Sequence, residues 1–130
     1  MANRWIFSPL RILSRNRVVI AGSFAPNGAS AVSAASNRGD DGWSVVRTSE
    51  GLFTRTLDDV FTQDDSITAT LQLASGDDKA VQVGAVDIAA RTIQLRVWDA
   101  SGAAVADVAA DADNRISFCI VLKNSSIFGR

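Results

Sequence analysis

The sequence predicts an all-β domain: an antiparallel, jelly-roll-like β-sandwich of about seven to eight short strands, with an extended N-terminal arm. Between Ser66 and Lys123, apolar residues occupy every second position in successive segments, which is the period of a half-buried strand. Short polar or Gly-containing breaks separate these segments at intervals of about 8 to 12 residues, as in sandwiches and barrels. No long helical pattern interrupts them, which disfavours parallel α/β architectures.

The composition is that of one globular domain. The chain has 130 residues, of which 47% are hydrophobic and 21% charged. A chain of this length buries roughly two-thirds of its unfolded surface in a single core. Its single Cys excludes an internal disulfide framework, and no secretory or membrane-spanning segment is found near the start, so we expect a soluble protein made in a cytoplasm.

Residues 1–16 are predicted to form an arm, because large apolar residues alternate irregularly there with Arg and no strand or helix period is maintained. Residues 1–39 carry five Arg and no acid, a charge of +5, whereas residues 40–130 carry eight basic residues and 14 acids, a charge of −6. Such an arm suits acidic protein surfaces, including another copy of the chain. The alternatives are core packing and stacking on single-stranded nucleic acid, although the acidic body disfavours a nucleic-acid partner. The candidate partner-binding residues of the arm are Arg4, Trp5, Phe7, Leu10, Arg11 and Arg15.

The first half of the body is predicted to contain three strands, with a further short strand inside a long loop. A β-branched strand runs over residues 17–24 and is stopped by Pro26-Asn27-Gly28. Residues 25–42 form a long loop with one short strand near Val32. Residues 43–48 and 52–56 form a hairpin around Gly51, and residues 57–61 form a helical turn.

The second half is predicted to contain strands at residues 66–73, 80–87, 92–98, 103–108 and 115–123. Their inward positions give the predicted core, Ile67, Leu71, Val83, Ile93, Leu95, Val97, Ile116, Phe118 and Ile120. On the opposite face of one strand, Arg96 and Trp98 suit a subunit contact or a cation–π pair, although burial under a loop is equally consistent. Cys119 is predicted to be a small buried hydrophobic residue.

Catalytic and metal-binding patterns have little support. Without His, a nucleophile would need a Lys or carboxylate as its base, and the chain has only Lys79 and Lys123, so we expect no enzyme. The adjacent Asp pairs fall in predicted turns, where Asp bonds the local backbone. Asp107, Asp111 and Asp113 lack the spacing of a calcium loop, and one Cys cannot form a zinc site. We therefore expect no metal and no cofactor.

Residues 43–126 resemble a group of small β-rich virion structural proteins of tailed bacteriophages. The likeness lies in the segments VQVGAVD, TIQLRVWDASGAA and NRISFCIVLKNSS. It implies a capsid cement or decoration protein that binds the major capsid protein and other virion proteins, located on the capsid surface after assembly in the host cytoplasm. The exposed arm and outward apolar positions further suggest a homo-oligomer, a dimer or trimer, with no membrane partner. The alternative is a tail-fibre, head-fibre or adaptor module, and the third is a carbohydrate-binding domain in which Trp43 or Trp98 stacks on sugars.

Overall fold

The computed structural model describes residues 17–76, 78–101 and 104–123. The predicted arm, residues 1–16, lies outside the described residues. The described part contains one 3-10 turn, Ala34–Ser36, and nine strands, two of which are only two residues long. The strands are β1 Arg17–Phe24, β2 Arg38–Gly39, β3 Trp43–Ser49, β4 Leu52–Leu57, β5 Gln63–Gln72, β6 Lys79–Asp87, β7 Thr92–Asp99, β8 Ala104–Val105 and β9 Arg115–Lys123.

The strands form two antiparallel sheets, which confirms the predicted β-sandwich. Sheet A has the order β2-β1-β9-β5, and sheet B has the order β3-β4-β7-β6, with β8 added to β7. Every pairing is antiparallel. In sheet A the last described strand, β9, lies between β1 and β5 and therefore joins both halves of the sequence.

Two local predictions in the first half of the body were wrong. The short strand of the long loop lies at β2 rather than near Val32, because β2 pairs with the end of β1. Gly39 permits this pairing: its φ is 103°, and a Cβ there would lie 2.5 Å from the carbonyl O of Ala21. The predicted helical turn is absent from described residues 57–61, because β4 continues to Leu57 and the N–H of Asp58 donates to the carbonyl O of Gly42 at 2.9 Å.

The core lies between the two sheets and follows the alternation of the sequence. Of the predicted core, the buried residues are Ile93, Leu95, Val97, Ile116, Phe118 and Ile120. The other three, Ile67, Leu71 and Val83, are half-buried and pack against them. Phe24 and Phe53 add a tilted ring pair whose centroids are 5.3 Å apart. The two sheets are thus held together mainly by apolar contacts between their inner faces.

One ion pair secures the β3–β4 hairpin against the segment after β8. Asp107 accepts hydrogen bonds from Nε and Nη2 of Arg47, at 3.0 and 2.7 Å, and from the N–H of Gly51 at 2.9 Å. The hydrogen bond from Arg47 holds the pKa of the Asp107 carboxyl below its ordinary value. Asp107 therefore holds the β3–β4 hairpin against this segment, and its carboxylate is paired with the guanidinium of Arg47.

Candidate functional site

The outer face of sheet A carries nine small, uncharged side chains in three rows, which we call the sheet A patch. Each row crosses β1, β9 and β5 in register. The rows are Val19, Val121 and Ser66; Ala21, Cys119 and Thr68; and Ser23, Ser117 and Thr70. The patch exists because the alternate positions of these strands face the core, leaving the small residues outside. Its nine side chains carry no charge, but charged residues border it: Arg17 and Lys123 form the adjoining row at one end, and Nε of Arg115 donates to Oγ of Ser23 at 3.1 Å at the other.

Cys119 lies at the centre of this patch and is half-buried, not buried as the sequence suggested. The alternation placed it correctly on the face opposite Phe118. On that face Arg115 covers part of the third row, because its guanidinium donates to Ser23 Oγ and to the carbonyl O of Ser36. Beside Cys119, between β5 and β9, a shallow hollow of about 170 Å³ is lined by residues that include Thr68 and Ser117. Val19, in the first row, is 55% exposed. The patch is therefore an open apolar and hydroxyl surface.

An ion pair crosses sheet A beside the first row of the patch. Arg17 begins β1, and its Nε lies 2.7 Å from Oδ2 of Asp65 in β5. The pair spans β9, about 10 Å for two strand spacings. The hydrogen bond from Arg17 lowers the pKa of the Asp65 carboxyl. Arg17 is also the residue at which residues 1–16 join the body.

The candidate interface residues Arg96 and Trp98 lie together on the outer face of sheet B, as predicted, and both are half-buried. The Arg96 Cζ lies 5.9 Å from the centroid of the Trp98 ring. Each also has a glutamine partner: Trp98 Nε1 donates to Gln82 at 2.7 Å, and Arg96 Nη2 donates to Gln94 at 3.1 Å. Their contact with another subunit stays a prediction. The candidate arm residues Arg4, Trp5, Phe7, Leu10, Arg11 and Arg15 lie outside the described residues.

The sequence did not reveal a buried arginine in the core. Arg55 is fully buried on the inner face of β4, with its Cζ 3.3 Å from the Phe118 ring centroid and 5.2 Å from that of Trp43. Nε, Nη1 and Nη2 of Arg55 have no hydrogen-bond partner in the described part of the chain. Burial lowers the pKa of the Arg55 guanidinium to about 9. Arg55 lies two residues from both Phe53 and Leu57, so the alternation of the strand would have predicted that it faces the core.

Trp43 is buried, 9% exposed, so the expectation that its ring is exposed was wrong. Its Nε1 donates to the carbonyl O of Asp40 at 2.6 Å. Trp43 forms one wall of a cavity of about 440 Å³ that Asp40, Asp41 and Asp58 also line. In the described ranges, no group of three or more acidic or Cys side chains is arranged to hold a metal ion. The cavity is a polar recess at the β2–β3 side of the sandwich.

No protein-family model matches this chain, and no curated protein or solved structure is significantly similar to it. Within the described residues, no helix is long and apolar enough to cross a membrane.

Proposed function

We propose that this chain is a non-enzymatic structural protein of a bacteriophage virion, a capsid cement or decoration protein that binds and stabilises the shell of major capsid protein. The observation that carries the proposal is the sheet A patch, nine small uncharged side chains in register on the outer face of a sheet. Such a surface suits contact with another protein rather than chemistry on a small substrate. The resemblance of residues 43–126 to phage virion proteins supports the same assignment.

The geometry of the sandwich fits this role. Both sheets are tied together by the core, so their outer faces are rigid and need little ordering when they bind. A lattice of many copies adds avidity, so each contact of a cement protein is allowed to be weak. The half-buried pair of Arg96 and Trp98 supplies a second contact surface on the opposite side of the sandwich.

Copy number on intact particles tests this proposal. We expect the protein to be present at a fixed ratio to the major capsid protein, measured by quantitative mass spectrometry of purified virions. Particles stripped of it should lose their shell at lower temperature than complete particles, and adding it back should restore the difference. Its absence from virions would refute the proposal.

A few copies at one vertex would instead support the alternative, a tail-fibre, head-fibre or adaptor module, because such modules occupy few sites. Electron microscopy of particles labelled at this protein distinguishes a covered shell from a labelled vertex.

A carbohydrate-binding domain is the third candidate, and it now depends on Trp98. This ring is half-buried, next to Arg96 and Gln82, which are donors and acceptors of the kind that sugar hydroxyls use. Binding to a glycan array that is lost in Trp98→Ala would favour this candidate, and an array without binding would dismiss it.

A further inference from the structure

We infer that the sheet A patch is the receptor for residues 1–16 of a second copy of this chain. The inference deepens the proposed function by assigning the sheet A patch to the contact between copies, which leaves the surface of Arg96 and Trp98 for the shell. It rests on the proposed function only for its setting in a virion. It concerns a contact that the isolated protein is able to make.

The first argument is chemical and steric complementarity. The patch consists of small side chains, with a hollow of about 170 Å³ beside Cys119, Thr68 and Ser117. Its occupant must therefore supply large apolar groups. Residues 1–16 contain six of them: Trp5, Ile6, Phe7, Leu10, Ile12 and Leu13. Rigid aromatic anchors that fill hollows in a small-residue surface are the usual source of interface energy.

The second argument is the length of chain available. Residues 1–16 span up to about 53–58 Å when extended. The patch runs only from Val19 to Ser23 along β1, about 13 Å. The arm is thus long enough to leave its own sheet and cover the patch of a neighbouring molecule.

The third argument separates a neighbour's patch from the arm's own. The arm joins the body at Arg17, and the Arg17–Asp65 ion pair lies across the sheet between that point and the first row of the patch. An arm folding back over its own patch would have to cross this pair. An arm arriving from another copy meets the open rows directly, beginning at exposed Val19.

The fourth argument is charge. The arm carries Arg4, Arg11 and Arg15 and no acid. Beside the first row, the patch is bordered by Lys123 and by Asp65, which pairs with Arg17. The acidic excess belongs to the body as a whole, since residues 40–130 carry a charge of −6. Long-range attraction between the basic arm of one copy and the acidic body of the next therefore favours their encounter, while the apolar residues of the arm make the contact with the patch.

This contact joins two different surfaces, so symmetry restricts the assemblies it allows. Reciprocal exchange of arms closes a dimer, and transfer of each arm to the next copy closes a ring such as a trimer. Either form leaves Cys119, the only Cys of the chain, covered by an arm.

The experiment uses the full-length protein and two readouts. Light scattering gives the molar mass at high micromolar concentration, and iodoacetamide alkylation gives the exposure of Cys119. The double variant Trp5→Ala/Phe7→Ala leaves the patch unchanged, so its alkylation rate reports directly whether the arm covers the thiol. Ser66→Lys places a charge in the first row, and Ser44→Lys makes the same change at an exposed serine of β3 on the other sheet.

We expect wild type and Ser44→Lys to be oligomers. Ser66→Lys and the double variant should dissociate, with the dissociation constant raised at least about thirtyfold, and all four should keep a cooperative unfolding transition. Alkylation should be at least about tenfold faster in the double variant, and dilution should accelerate it in wild type. A monomeric wild type, an oligomer that survives both changes, or a thiol whose rate is independent of dilution would overturn the inference. Loss of virion binding with oligomers intact would refute the proposed function alone.

Discussion

Replacing Arg55 with Met should stabilise the protein, because Arg55 is a buried charge without a hydrogen-bond partner among the described residues. Its pKa of about 9 lies above neutral pH, so the guanidinium is still charged at pH 7. Met has a flexible apolar side chain that fills the same space between Phe118 and Trp43 without requiring partners. The substitution removes the charge and keeps the core filled.

The expected gain follows from two opposing contributions. An uncompensated buried charge costs about 3–5 kcal/mol. The Phe118 ring centroid lies 3.3 Å from the Arg55 Cζ, and a desolvated cation–π contact of this kind offsets about 2 kcal/mol of that cost. The net cost is therefore about 1–3 kcal/mol, which corresponds to a rise in Tm of about 3–12 °C for a domain of this size.

Urea and thermal unfolding followed by circular dichroism measure this gain. Arg96→Met is the matched control, because Arg96 also lies over an aromatic ring but has Gln94 as a partner and is half-buried at the surface. The control should change stability by no more than about 0.5 kcal/mol. If Arg55→Met lowers stability by 1 kcal/mol or more, the guanidinium is satisfied in the native state and the reasoning above is refuted.

Three further predictions concern the core, a close approach and acid stability. Leu95→Ala should lower the free energy of unfolding by about 2–5 kcal/mol, measured with urea, because Leu95 is fully buried. Gly22→Ala should lower it by about 1–3 kcal/mol, since a Cβ would lie 2.7 Å from a backbone O and 2.8 Å from a Trp ring, whereas Gly76→Ala, with nothing within 4 Å, should leave it unchanged. Asp107→Asn should lower Tm at pH 7, and because the native pKa of Asp107 is depressed, the gap to wild type should close as pH falls below about 4; a gap independent of pH would contradict the ion pair.

The alternation of residues predicted most of sheet A and sheet B correctly. Ile93, Leu95 and Val97 alternate with polar neighbours, and their burial follows from the pleat of the strand alone. The same rule placed Phe118 inside and Cys119 outside. It did not predict how far Cys119 is exposed, because exposure depends on whether another layer covers the face, which local periodicity does not encode.

The burial of Arg55 and Trp43 was not predicted, because both side chains carry polar groups that are common at the surface. Arg55 alternates with Phe53 and Leu57 along β4, which indicates that it faces the core. It was not predicted to be buried, because charged residues seldom are. Trp43 is suited by type to an exposed binding surface, but the pairing of β3 with β4 and the approach of Phe118, whose ring centroid is 4.8 Å away, place it inside. The contact with Phe118 joins segments far apart in the chain, which a local pattern cannot specify.

The central place of β9 in sheet A determines when this protein is able to fold. β1 and β5 do not pair with each other; both pair with β9. Arg17 therefore pairs with Lys123, and Gln72 pairs with Arg115, only after β9 has been synthesised. During synthesis, sheet B is able to form its hairpins early, while β1 and β5 present open edges to other chains. Pairings at such long sequence separation fold slowly, and open strand edges favour aggregation in the meantime. A ribosome-bound chain that stops before β9 should therefore remain dependent on chaperones, and its release from them should coincide with emergence of residues 115–123.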